Sequence, residues 1–215
     1  MQHAAWGGHT GTVHPLLSRG ASIEAVNTYK HTPLYRAAYN GHTDTVQLLL
    51  SKGAFIEAMN RNNFTALHRA AFNSHIDTIK LLLRQGAFTE ALNTTSDTPL
   101  HLAASSGLLI ENGAAIGAMS ICNDTPIHYA ASNGHTKTVQ LLLNKGAFIE
   151  ARNISNQTPL HRAAHGGHVN SVKLLLGEGA VIEAMDTNNN TPLYYATFNG
   201  LTHTAQLLLS APKCA

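Results

Sequence analysis

Histidine is the side chain of this sequence best placed to do chemistry. There are fourteen in 215 residues, and neutral imidazole can bind a metal or carry a proton near neutral pH. His161, His165 and His168 come nearest to ligand spacing, because positions i and i+4 share a helix face and a third ring follows three residues on. No carboxylate lies within that segment, and a three-histidine zinc site demands convergent geometry, so the spacing argues against a metal. His68, His101, His128 and His161 recur at one fixed place along the chain, and His9, His42, His75, His135 and His168 at another. A residue repeated at every level of an array serves the array. Glu24, Glu57, Glu90, Glu150 and Glu183 also recur in register, and at the roughly 8–10 Å spacing of packed helices they read as an acidic stripe on a solvated edge, not a catalytic dyad. Cys122 and Cys214 are too few for a disulfide framework and lack Cys-x-x-Cys spacing, which fits a reducing, cytoplasmic compartment with the nucleus also open. With no Gly-x-Ser-x-Gly, no phosphate-cradling glycine loop and no paired acids, the expectation is a protein that is not an enzyme and needs neither cofactor nor metal.

The elements that carry these residues are written in repeats. Thr32-Pro33-Leu34-Tyr35, Thr65-Ala66-Leu67-His68, Thr98-Pro99-Leu100-His101, Thr125-Pro126-Ile127-His128, Thr158-Pro159-Leu160-His161 and Thr191-Pro192-Leu193-Tyr194 start at intervals of 33, 33, 27, 33 and 33. A seventh unit without its opening lies before them, giving units of about 1–31, 32–64, 65–97, 98–124, 125–157, 158–190 and 191–215 within one domain, 1–215. Thr is a good helix N-cap and Pro suits the first helical position, so each unit opens a short helix with an Ala-Ala pair. Gly41, Gly107, Gly134, Gly167 and Gly200 end it, and a second helix follows with an apolar stripe such as Val46, Leu48, Leu49 and Leu50. An Asn-rich stretch such as 55–63 then predicts an extended loop or hairpin. One unit cannot bury its leucines alone, so stacking must supply the core.

This unit resembles the ankyrin repeat, through its period of 33 and its Thr-Pro-Leu-His-x-Ala signature. The resemblance covers the whole chain and implies an all-α repeat solenoid, a stack of antiparallel helix pairs with projecting hairpin loops and a concave face. It also implies that both repeated histidine positions are structural hydrogen-bonding sites.

The pattern breaks in three places. The fourth unit is six residues short after Gly107, which predicts a second helix cut to about 108–112 and a weak point between better-packed blocks 1–97 and 125–215. Pro15 stands where other second helices carry leucine, which predicts a kink or a shortened helix. Pro212 replaces the glycine expected after the last helix, and the final unit lacks a polar outer face.

Function is expected where the repeats differ. Seven residues after each signature Thr stand Trp6, Tyr39, Phe72, Ser105, Ser132, His165 and Phe198, a row that the resemblance places toward the concave groove, and aromatics are common interface anchors. The hairpin tips add Tyr29, His31, Arg61 and Phe64, so the centre of the expected partner site falls in the second and third units. Arg36, Arg69 and Arg162 add charge or pack against the next unit. The net charge of +2, with basic residues scattered among acidic ones, gives no phosphate-binding face, and no apolar run approaches the ~20 residues that cross a bilayer. The expected role is a monomeric, non-catalytic scaffold that binds another protein, with neither nucleic acid nor membrane insertion. The alternative, which the truncated first unit favours, is a piece of a larger ankyrin-containing protein whose repeats serve assembly or intramolecular regulation.

Overall fold

A computed structural model describes residues 1–108 and 113–212. Among them the chain is a run of short helices with no strand. They are α1 (Gln2–Trp6), α2 (Thr10–Ser18), α3 (Pro33–Tyr39), α4 (Thr43–Ser51), α5 (Ala66–Phe72), α6 (Ile76–Arg84), α7 (Pro99–Ser105), α8 (Pro126–Ser132), α9 (Thr136–Asn144), α10 (Pro159–His165), α11 (Val169–Gly177), α12 (Pro192–Phe198) and α13 (Thr202–Ser210). Two compact units make up the chain, one built on Met1–Ala103 and the other on Ala115–Ala215, with the end of α7 from Ala104 onward in the second. The second helix expected for the shortened repeat falls largely on 109–112, outside the described residues.

The signature explains how each first helix begins. Thr32 Oγ1 accepts from the Tyr35 N–H at 3.1 Å, with Pro33 at the first helical position. Where histidine replaces Tyr35, the cap becomes reciprocal. The Nδ1 atoms of His68, His101, His128 and His161 each accept the main-chain N–H of the capping Thr at 3.1 Å. A main-chain N–H can only donate, so Nδ1 carries no proton and Nε2 does. That second nitrogen donates to the last carbonyl of the same repeat, Asp97 O at 3.1 Å from His68, Gln157 O at 3.0 Å from His128 and Asn190 O at 3.2 Å from His161. Burial lowers the pKa of all three rings, that of His68 to about 4, so they stay neutral and tie the start of each repeat to the loop that ends it.

Helix ends and loops follow from local chemistry too. Gly41 and Gly134 leave the first helices at φ 71°, and in the third repeat Ser74 takes this left-handed place at φ 59°. In the loops, Asn60 Oδ1 accepts from both the Asn62 and Phe64 N–H groups at 2.9 Å, and Asn93, Asn153 and Asp186 do the same at the matching position of their repeats. The expected hairpins are thus turns closed on a buried Asn or Asp, and their tips link in series: Arg61 N–H donates to Tyr29 O, Thr94 to Asn62 O, Ile154 to Cys122 O and Thr187 to Ser155 O.

Apolar burial is concentrated on few residues per repeat. In the first unit Leu34, Val46, Leu49, Leu67 and Leu82 are sealed from solvent, and in the second Ile127, Val139, Leu142, Leu160, Val172 and Leu175. Fully buried alanine pairs, such as Ala37-Ala38 and Ala130-Ala131, allow first helices to approach closely. The buried stripe of α4 is narrower than its leucines suggest: Val46 and Leu49 lie inside with Thr45, whereas Leu48 and Leu50 are half-buried. Thr45 belongs to a hydroxyl series invisible in apolar patterning, Thr10 to Thr45 at 2.7 Å, Thr43 to Thr78 at 2.8 Å and Thr136 to Ser171 at 2.9 Å.

Two expectations are corrected. α2 keeps nine residues, the same as α4, with Pro15 inside it, so the expected shortening does not occur; Pro15 and Gly11, whose carbonyl loses its helical N–H partner, are both exposed. The glutamates do more than line a solvated edge. Glu24 Oε1 accepts the Phe55 N–H at 2.8 Å, Glu57 that of Phe88 at 2.8 Å and Glu150 that of Val181 at 2.9 Å, each clamping one loop to the next. Burial raises the pKa of Glu57, against the pull of its bond to Phe88. At the other end, Ala211 leaves α13 extended (ψ 142°), the conformation favoured before a proline.

Candidate functional site

Each variable row residue is the last residue of a first helix, so its carbonyl lacks an intrahelical partner. The next repeat supplies one. His42 Nε2 lies 2.9 Å from Trp6 O, with Asn40 Nδ2 donating to the same oxygen at 2.8 Å. His75 and Asn73 treat Tyr39 O alike, both at 2.9 Å, and His135 and His168 reach Ser105 O and Ser132 O at 2.9 Å. The backbone of the row is fixed by the framework, and of its side chains Ser105 also bonds it, its Oγ accepting from Asn133 Nδ2 at 3.1 Å.

In the first unit those side chains gather with the loop residues around two arginines. Trp6 and Tyr39 stack at 5.2 Å, and the Arg36 guanidinium lies 4.7 Å over the indole. Arg69 sits 4.0 Å over the Phe64 ring and 5.9 Å from that of Tyr39, and its Nε donates to Tyr35 Oη at 2.6 Å. Tyr35 stacks on His31 at 4.3 Å, and Tyr29 follows at 5.7 Å. Burial raises the pKa of Tyr35, while burial and the charges of Arg69 and Arg36 lower that of His31, so both stay neutral around the cations. Trp6 is 40% exposed, Phe72 45% and Tyr29 62%; Arg61 is also open, whereas Tyr39, His31 and Phe64 are half-buried. The structure thus brings Trp6, Tyr39, His31, Tyr29 and Phe64 into one aromatic strip. Its hub, Tyr35, is absent from the residues expected from sequence, although tyrosine in place of the signature histidine marks it.

His165 and Phe198 belong to the second unit, in a separate group. Tyr195 meets His165 edge-on at 5.5 Å, and Tyr194 stacks on Phe198 at 5.8 Å. Tyr195 Oη donates to Asp186 Oδ2 at 2.5 Å and accepts from Gln157 Nε2 at 2.8 Å. Burial and then the bond to Asp186 raise the pKa of Tyr195; burial acts to raise that of Asp186 too, but its hydrogen bonds from Tyr195, Asn190 and Asn188 outweigh this and lower it. His161 has both ring nitrogens engaged and cannot join His165 and His168 on a metal in this arrangement. Among the described residues no three His, Cys, Asp or Glu side chains are grouped to hold one. Arg162, one of the arginines expected to carry charge, is paired with Asp124 at 3.2 Å. Among the described residues no helix is long and apolar enough to cross a membrane.

Comparison with known proteins bears on the fold and the family. A search of curated proteins finds no sequence match. Among solved structures, the human ASB11 ankyrin repeat domain is similar over 100% of this chain and 98% of its own, with a TM-score of 0.89 and 24% identity. As many as 589 chains of known structure match, so shared fold alone narrows function little. The sequence profile of ankyrin repeats matches in three copies, over residues 1–93, 88–153 and 150–214. With the signature, the helix pairs and the histidine cross-links repeated along the chain, this protein belongs to the ankyrin repeat family.

Proposed function

We propose that the chain is a non-catalytic scaffold that holds a segment of a partner protein against the aromatic and arginine strip of its first unit, with the hairpin tips at Tyr29 and Arg61 as flanking contacts. Ankyrin repeats are in general protein–protein interaction modules. The observation that carries the reading is the run Trp6, Arg36, Tyr39, Arg69 and Phe64, in which rings and guanidiniums stack on one another while Trp6 stays partly open. Stacked aromatics and arginines lose little side-chain freedom when a partner covers them, and they dominate binding energy at protein interfaces. In the second unit Phe198, 75% exposed, offers a further contact.

The test is a crosslinking pull-down from cell lysate comparing the wild type with a Trp6→Ala, Tyr39→Ala, Phe72→Ala variant of equal helicity. A partner retained by the first and lost by the second is expected, with affinity falling by about 2 kcal/mol or more for the best anchor. Equal retention of every partner would remove the strip from consideration.

A further inference from the structure

The glutamate clamp is missing at one place. In the register of Glu24, Glu57 and Glu150 the shortened fourth repeat carries Gly117, and the N–H it would have clamped, that of Phe148, donates to no described residue. A cavity of about 420 Å³ opens there, within the size range of ligand pockets, lined by Ile116, Gly117, Met119, Phe148, Glu150 and Arg152 among others. Arg152 is a second departure. The corresponding loop residues are Val26, Met59, Leu92, Met119 and Met185, so a cation stands in the loop of Phe148, the one whose N–H the missing glutamate would have clamped.

We propose that this cavity takes an acidic side chain of a partner polypeptide, whose carboxylate accepts the Phe148 N–H in place of the missing glutamate. Three other loops of the chain show this bond made by a carboxylate at 2.8–2.9 Å. The guanidinium of Arg152, which spends Nη1 on Asn156 O and Met185 O, favours an anion, and Ile116, Met119 and Phe148 favour an apolar neighbour beside it. Glu150 does not exclude an acid: Glu24 already bonds the Phe55 N–H two residues before Glu57. Its Oε2 is buried without a partner and wants a donor, which a peptide N–H supplies and a free carboxylate does not. The site lies in the second unit and is independent of the aromatic strip.

The experiment uses the full chain, ¹⁵N-labelled, with two pools of acetylated, amidated pentapeptides bearing Leu, Ile, Met or Phe on each side of a central glutamate or a central glutamine. The glutamate pool should move the Phe148 amide resonance downfield and the glutamine pool should bind roughly tenfold more weakly. An added Cβ at Gly117 meets nothing within 4 Å and its φ is not positive, so Gly117→Glu should fold. Gly117→Glu should fill the site, abolish binding and raise the urea midpoint. Arg152→Gln should weaken binding and flatten its salt dependence. An unmoved Phe148 amide at millimolar peptide, equal binding of the two pools, or undiminished binding by Gly117→Glu would overturn the proposal. Isovalerate binding as tightly as the peptides would overturn the polypeptide as occupant.

Discussion

Single side chains in this protein are held by paired demands, and the cost of breaking a pair can be stated. His68 has a folded pKa of about 4 against the 6.5 of an unfolded histidine, so below pH 6.5 the unfolded chain takes up a proton that the folded ring refuses. Its contribution is therefore complete above pH 6.5 and is lost as pH falls toward 4, by about 3 kcal/mol. His128 and His161 are lowered in the same direction. Urea melts at pH 7.5 and 5 should show lower stability at pH 5, and His68→Ala should lower stability at pH 7.5 and reduce that difference; an unchanged pH dependence would refute the assignment. Thr204 is the opposite case. It stands where the hydroxyl series would continue, but Val169 replaces the partner threonine, leaving Oγ1 buried without a bond. Thr204→Val should stabilise by about 1 kcal/mol, read as a higher urea midpoint.

At the scale of helices and loops, the Glu57 clamp joins two loops through a single bond. Glu57→Ala leaves the Phe88 N–H without its acceptor and should cost about 1–2 kcal/mol, with amide exchange rising first around residue 88. The caps, the glycine exits and the helix pairs were legible in the sequence because Thr, Pro and Gly act on their nearest neighbours. The glutamates and the hydroxyl series were misjudged or missed because their partners lie 31 and 35 residues away, and a polar residue in register looks the same whether it meets water or the next repeat. The aromatic row was likewise legible as a row, while its gathering around Arg36, Arg69 and Tyr35 depends on side-chain directions that spacing does not give.

For the molecule as a whole, stability in a stack is a sum of repeat and neighbour terms, and the chain divides into two compact units within the repeat that lost six residues. Trp6, the sole tryptophan, lies in the first unit. Its fluorescence should therefore follow that unit alone, while circular dichroism follows both, and the two urea transitions should separate. Coincident curves would mean that the array unfolds as one. Leu160→Ala, which empties a fully buried site in the second unit, should shift the dichroism transition by about 2–5 kcal/mol and leave the fluorescence midpoint in place.

The tethered carbonyls at the ends of the first helices carry a consequence for how this protein could change. Because Trp6 O, Tyr39 O, Ser105 O and Ser132 O are bound by their neighbours through main-chain atoms, the side chains above them carry little of the folding problem. Diversity can accumulate there at little expense to the scaffold, as the mixture of Trp, Tyr, Phe, Ser and His already displays. A library randomised at Trp6, Tyr39 and Phe72 should yield mostly folded clones and new specificities, whereas one randomised at His42, His75 and His135 should yield few that fold.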